Sequence, residues 1–175
     1  MSGRGERRPE YKKTAEVLNM EKTNVMRILD QKKVSYTAHS IGDNTKLSGK
    51  EVAEALNKPP ESVFKTLVTV GKTGAKYVFV VPIDRELNLK KAAKAVGEKS
   101  IEMLKQKELL PLTGYVHGGC SPIGMKKFFT TTVDISAENR ETICFSAGKI
   151  GCQVEISPKD LSKVIRFTFS DIAEP

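Results

Sequence analysis

The sequence predicts a mixed α+β domain whose sheet is largely antiparallel, mixed or barrel-like and flanked by helices. Three observations predict it. Helical periods and strand-like runs alternate without a regular βαβ rhythm. Two neighbouring strands are joined by a short turn rich in Gly and Lys. The later strands follow one another across short turns, as in a meander. The chain has 175 residues, enough for one domain with a real core and barely enough for two.

Residues 1–20 are polar, basic and without period, and read as a flexible extension ahead of a single domain over 21–175. The domain opens at TNVMRILDQKK, where Val25, Ile28 and Leu29 recur at helical spacing. VSYTAH (34–39) reads as a short strand, and SIGDNTKL, rich in turn formers, as a loop. Ser48 and Glu51 stand at capping-box spacing before a helix through Val52, Ala55 and Leu56, which Pro59 and Pro60 end. VFKTLVTV (63–70) and YVFVVP (77–82) form a hairpin around GKTGAK. Asn88 caps LKKAAKAV, closed by Gly97, and a further helix is expected over 101–108. LTGYVHGGCSPIGM (112–125) breaks every period. FFTTTVDI, ETICFS and CQVEIS then read as strands, and Ser157-Pro158 starts a last helix.

Charge and composition narrow the function. Lys and Arg number 29 against 21 Asp and Glu, a net +8, of which residues 1–13 carry +3. The remaining +5 suits a polyanionic partner held through phosphates, though a solvated surface accounts for it equally well. No apolar run approaches the ~20 residues of a membrane span, and the N-terminus has no apolar signal core. Cys120, Cys144 and Cys152 form neither an even set nor a zinc spacing, which fits a reducing cytoplasm.

Two places can carry chemistry. Lys65 alternates with Val63 and Leu67 in a strand of apolar residues, where a buried ammonium needs a partner. It can hold a phosphate or polarise a carbonyl in a cleft, or pack its stem at a sheet edge with its head in water. The loop from Gly118 through Gly119, Cys120, Ser121 and Pro122 to Gly124 can aim backbone N–H groups at a carbonyl oxygen or phosphate, or be a plain crossover. As a P-loop it fails, because Met125 stands where the lysine is needed. Cys120 with His117 suggests a cysteine hydrolase only by proximity in sequence, and His39 is the other histidine. Ser121 lacks a nucleophile elbow, and no His, Cys and carboxylate cluster has metal-ligand spacing. Positioning and backbone electrostatics are what remain.

Residues 23–173 resemble the YbaK family of free-standing aminoacyl-tRNA deacylases, related to the editing domain of bacterial prolyl-tRNA synthetases. TNVMRILDQKKVSY, SVFKTLV, LNLKKAAKAVG, TGYVHGGCSPIGMKK, FSAGKIG and VEISPKDLSKVI carry the resemblance, in the family's order. It implies a cytoplasmic enzyme without metal or organic cofactor that clears Cys-tRNA(Pro), with Cys-tRNA(Cys) as a second substrate. It also implies tRNA as partner, prolyl-tRNA synthetase as a possible one, and neither membrane nor DNA. The family lysine maps onto Lys65 and its G-x-x-x-P-x-G loop onto Gly118, Pro122 and Gly124, which places Gly119, Cys120 and Ser121 at the substrate. Relatives carry a tyrosine and a phenylalanine near the pocket where this chain has Ile41 and Ser48, and an aspartate where it has Gln153. The implied mechanism has the substrate's own thiol attack its ester and leave as a thiolactone. Lys90, Lys91, Lys94, Lys126 and Lys127 are then the expected acceptor-stem contacts. Two alternatives stay open: an Ala- or Ser-tRNA deacylase of the same fold, and a non-catalytic tRNA- or synthetase-binding module.

Overall fold

Helix α1 (Asn24–Gln31) starts where the periodicity places it, because the Thr23 hydroxyl accepts from the Met26 N–H at 3.3 Å. Its apolar stripe, Val25, Met26 and Leu29, is fully buried. The structure, a computed structural model, describes residues 21–42 and 47–175. The extension read over residues 1–20 lies outside the described residues, as does the middle of the SIGDNTKL loop.

The remaining elements follow in order. Strand β1 (Thr37–Ser40) precedes α2 (Gly49–Ala55), whose cap Ser48 accepts from the Glu51 N–H at 3.3 Å. A 3-10 turn over Pro60–Ser62 leads into β2 (Phe64–Gly71), which pairs antiparallel with β3 (Lys76–Pro82) as the expected hairpin. Asn88 caps α3 (Leu89–Val96), and Gly97 ends it in the left-handed conformation, φ +74°. Then come β4 (Ile101–Met103), α4 (Gln106–Thr113), β5 (Thr130–Asp134), β6 (Ile143–Ser146), β7 (Cys152–Ile156), α5 (Pro158–Leu161) and β8 (Thr168–Ser170).

Two readings need correction. The helix expected over 101–108 is a strand followed by a helix. Ile101–Met103 pairs with Thr69–Gly71, and the helix begins only at Gln106, running past Pro111 to a left-handed Gly114. An available sheet edge overrode local helical propensity. Nor do the late strands form one meander. β6 and β7 make a hairpin, but β5 belongs to another sheet, where it runs parallel to β3 and to the unforeseen β8. Thr131, Thr132, Val133 and Asp134 are all buried, as befits a central strand.

The strand orders are β4-β2-β3-β5-β8 and β1-β7-β6. A parallel bridge from Val63 to Cys144 brings β6 against the start of β2 and so ties the sheets together. One face of the β2–β3 hairpin, with Phe64, Val68, Val78 and Val80, packs on α1 and the smaller sheet. The other, with Phe79 and Val81, packs on Ala92 and Ala93 of α3.

Across the smaller sheet, Glu155 organises a polar network. Its carboxylate accepts from Thr142 Oγ1 at 2.6 Å and Lys58 Nζ at 3.0 Å, and lies 2.9 Å from His39 Nε2. Burial pushes this carboxyl up, but the hydrogen bonds and the Lys58 charge outweigh it and hold the group at about 2, against an ordinary 4.5. A depressed folded-state value stabilises the fold fully above pH 4.5, and that stability drains away as pH falls towards 2. Urea unfolding at a series of pH values should therefore show an acid-limb loss on the order of 3 kcal/mol that Glu155→Gln flattens. An equally steep limb in the variant would assign the effect elsewhere.

Candidate functional site

Strand β2 has two different neighbours along one edge. β6 touches its start at Val63 and β4 covers its end from Thr69, so among the described residues the edge between them is left without a paired strand. The Leu104 N–H donates to the Val68 carbonyl at 3.1 Å, and strand alternation turns the backbone groups of Thr66 towards the same edge. A cavity of about 450 Å³ opens there, within the range of small-ligand sites. Its walls come from residues 64–68 of β2, Leu104, Leu109 of α4, Gly49 and Val52 of α2, Ser146 and Gln153 of the smaller sheet, and the loop at His117, Gly118 and Cys120.

The structure brings together four of the residues the sequence singles out, Lys65, Gly118, Cys120 and Gln153. Lys65 keeps a quarter of its side chain exposed, and its Nζ lies 3.3 Å from an oxygen of Glu86. Glu86 is 83% exposed, so the pair holds Lys65 only weakly and leaves the ammonium available to a ligand.

The loop owes its shape to Tyr115. This buried phenol donates to the Ile123 carbonyl at 2.6 Å across the loop, and burial with the nearby Cys120 pushes its pKa up to about 12. The Ser121 hydroxyl, fully buried, accepts from the Ile123 N–H at 3.3 Å, and Pro122 is buried beside it. Gly124, at φ +79°, lies against Tyr115, Ile28 and Asn24, and a Cβ at Gly119 would stand 3.3 Å from the Ile150 nitrogen. Gly119, Ser121, Pro122 and Gly124 thus set the loop's path, while Gly118, at φ +85°, faces the cavity.

His117 and Cys120 do share the cavity, but not as a nucleophile and its base. Cys120 is 7% exposed and burial pushes its thiol up to about 12, so almost no thiolate exists at neutral pH. In the deacylation that the family resemblance implies, Cys120→Ala should stay within about tenfold of wild type, whereas loss of a covalent nucleophile costs several powers of ten. A loss beyond a thousandfold in single-turnover assays would restore the cysteine-hydrolase reading.

The other expected residues are more dispersed. Ile41 does not line the cavity; it packs against the buried cluster of Ala53, Leu56, Val63 and Cys144, on which the lining residues Val52 and Ile83 also rest. Ser48 spends its hydroxyl on capping α2, while its neighbours Leu47 and Gly49 reach the cavity. None of the five expected lysines lines it. Lys90, Lys94, Lys126 and Lys127 are exposed, and Lys91 is paired with Asp171 at 3.0 Å. The ligand atoms of His39, Cys144 and Glu155 lie within 4.8 Å of one another, a cluster that spacing could not foretell because three strands supply it. Glu155 is already engaged there by Lys58 and Thr142, so the cluster reads as an ion-pair network.

Sequence reasoning missed Thr66 and Ser146. Among the described residues, the buried side-chain atoms without a hydrogen-bond partner are Thr66 Oγ1, Gln153 Oε1 and Arg140 Nε, and the first two belong to cavity-lining residues.

Comparison with known proteins gives the site a family context. An aminoacyl-tRNA editing domain family matches residues 43–164. A protein of Enterococcus faecalis, provisionally named Cys-tRNA(Pro)/Cys-tRNA(Cys) deacylase EbsC, is 44% identical over 153 residues, 87% of this chain and 93% of its own length. The proline–tRNA ligase of Thermosipho africanus is 38% identical over 77 residues, 44% of this chain but only 14% of the ligase. Among solved structures, one described as a provisional trans-editing enzyme for prolyl tRNA synthetase superposes with a TM-score of 0.76. That match covers 87% of this chain and 99% of the other at 23% identity, and is a likeness of fold.

Proposed function

From membership of the aminoacyl-tRNA editing domain family, to which this chain belongs, we propose that it deacylates Cys-tRNA(Pro), with Cys-tRNA(Cys) as a second substrate. The observation that carries this reading is the chemistry of the cavity wall. Lys65 and the edge of a glycine loop meet there, and among the described residues the lining contains no carboxylate and no accessible thiolate. Such a site can bind, orient and polarise, but offers no strong nucleophile of its own.

The substrate then supplies the nucleophile. The cysteinyl sulfur attacks the ester carbonyl carbon, the bond from that carbon to the terminal ribose oxygen breaks, and the thiol proton ends on that oxygen. The products are a cyclic thiolactone and free tRNA, and water later opens the thiolactone to cysteine. Lys65 meets the negative charge of the ester oxygen or the adjacent phosphate, while the Gly118–Gly124 loop holds the aminoacyl group. Exposed Lys126 and Lys127, which follow the loop directly, with Lys90 and Lys94, receive acceptor-stem phosphates.

Such a role places the protein in the cytoplasm beside prolyl-tRNA synthetase, the source of the mischarged tRNA. No helix among the described residues is long and apolar enough to cross a membrane. The catalytic unit is one domain over residues 21–175, with residues 1–20 as an extension.

Deacylation of Cys-, Ala- and Ser-tRNA(Pro) by the purified chain tests this reading. Rapid loss of cysteine alone is the expected result, because alanine has no thiol and the serine hydroxyl is a far weaker nucleophile. Loss of alanine or serine at a similar rate would require water as nucleophile and overturn the thiol mechanism. Tight tRNA binding without hydrolysis would leave a binding module.

A further inference from the structure

Beyond the loop that closes the cavity, the chain holds an aromatic ring out of the fold. Phe128 is 62% exposed, the most exposed large apolar side chain among the described residues. Its neighbour Phe129 packs against the core, as do Leu104, Leu109 and Leu112. A single exposed ring would mean little. Phe128, however, ends a segment tied alongside the chain that enters the loop. The Lys126 N–H donates to the Thr113 carbonyl at 3.1 Å, and the Lys126 stem lies against Gly114. Val116, 46% exposed, follows on that entering chain. Leu110, 51% exposed, stands one helical turn before Gly114, whose N–H donates to its carbonyl at 2.9 Å.

Lysines flank these apolar side chains. Lys126 and Lys127 precede Phe128 directly, and Lys107 shares a face of α4 with Leu110, three residues on. All three are exposed, and among the described residues none pairs with a carboxylate. Lysine is depleted from protein–protein interfaces, so this composition speaks against a protein partner. An aromatic ring set among unpaired ammonium groups suits a single-stranded nucleic acid, whose bases stack while its phosphates meet cations. The same segments lead to the cavity, since Gln106 and Leu109 of α4 and His117 and Gly118 of the loop line it. We propose that Phe128 stacks a base of the single-stranded 3′ end of tRNA, upstream of the terminal adenosine, while Lys126 and Lys127 hold phosphates beside it. This rests on the tRNA-substrate reading for the identity of the strand. It adds a contact that reads the single-stranded end by its π-face.

The chain contains no tryptophan, so Phe128→Trp installs a single fluorophore at this position. Its fluorescence is titrated with two uncharged RNAs, an acceptor-arm minihelix ending in its single-stranded 3′ tail and the same helix trimmed blunt. Quenching by the tailed RNA alone is expected. Phe128→Ala should weaken binding of the tailed RNA by about five- to a hundredfold, the range for one base on an aromatic ring, and leave the blunt RNA unchanged. Phe128→Leu, which keeps the apolar surface but not the ring, should lose nearly as much, while Phe128→Tyr keeps wild-type affinity. Replacing Lys126 and Lys127 together by alanine should weaken both RNAs alike and lower the salt dependence.

Equal quenching by both RNAs, or by neither, overturns the proposal. So does a spectrum that shifts with the protein's own concentration in place of tail-dependent quenching, which assigns the patch to self-association. Hydrolysis of Cys-tRNA(Pro) without tail-dependent quenching removes the stacking contact and keeps the deacylase. Tail-dependent quenching without hydrolysis does the reverse.

Discussion

Replacing Lys65 by alanine is expected to lower single-turnover deacylation of Cys-tRNA(Pro) by about a hundred- to a thousandfold, the usual effect of removing one electrostatic donor from a reacting centre. The urea unfolding midpoint should hardly move. Lys65 is three-quarters buried along its side chain, yet its recorded ion-pair partner Glu86 is 83% exposed, and such pairs contribute little to stability. The division between kinetic constants identifies what the ammonium does. A fall in kcat and kcat/KM together means that Lys65 meets charge developing on the ester oxygen. A rise in KM alone means that it anchors a phosphate equally in ground and transition states. Arginine should not rescue the first role, because a planar guanidinium presents a different geometry from a compact ammonium. A loss below tenfold in both constants would remove Lys65 from the reaction.

The residues that made Lys65 conspicuous also mark how far sequence reaches. Alternation placed a lysine among apolar neighbours in β2, and the hairpin turn fixed its register against Val81 of β3. Helix caps were equally legible, since Ser48, Asn88 and Ser157 each accept the hydrogen bond their spacing implies. What stayed hidden depends on contacts distant in sequence. Nothing in IEMLKQKE announces that Ile101–Met103 will meet the end of β2. That pairing, with the Val63–Cys144 bridge at the other end, is what opens the strand edge and makes the cavity. Thr66 was passed over for the same reason. In a strand it is an ordinary β-branched residue, and its buried, unpartnered hydroxyl shows only in the folded structure.

The loop itself supplies the second large effect. Gly124→Ala should destabilise the fold by about 2 to 4 kcal/mol and lower deacylation with it. Gly124 sits at φ +79°, where a side chain is disfavoured, and an added Cβ would stand 2.8 Å from the Tyr115 hydroxyl and 3.1 Å from Ile28 Cδ1. Tyr115 cannot retreat easily. Its hydroxyl is tied to the Ile123 carbonyl at 2.6 Å, and its ring lies against Gly148, where a Cβ would come within 2.9 Å of Cε1. One phenol is therefore wedged between two glycine turns, those before β5 and before β7, and both turns border the cavity-lining residues Gly118 and Ser146. A double-mutant cycle tests this arrangement without reference to activity. Tyr115→Phe removes the oxygen nearest the new Cβ, so Gly124→Ala should cost less by about 1 kcal/mol in that background. The residual cost belongs to the left-handed backbone and to Ile28. Strict additivity of the two changes in urea unfolding would mean that the alanine is resisted by backbone conformation and Ile28 without the Tyr115 hydroxyl, and that this hydroxyl does not hold the loop in place.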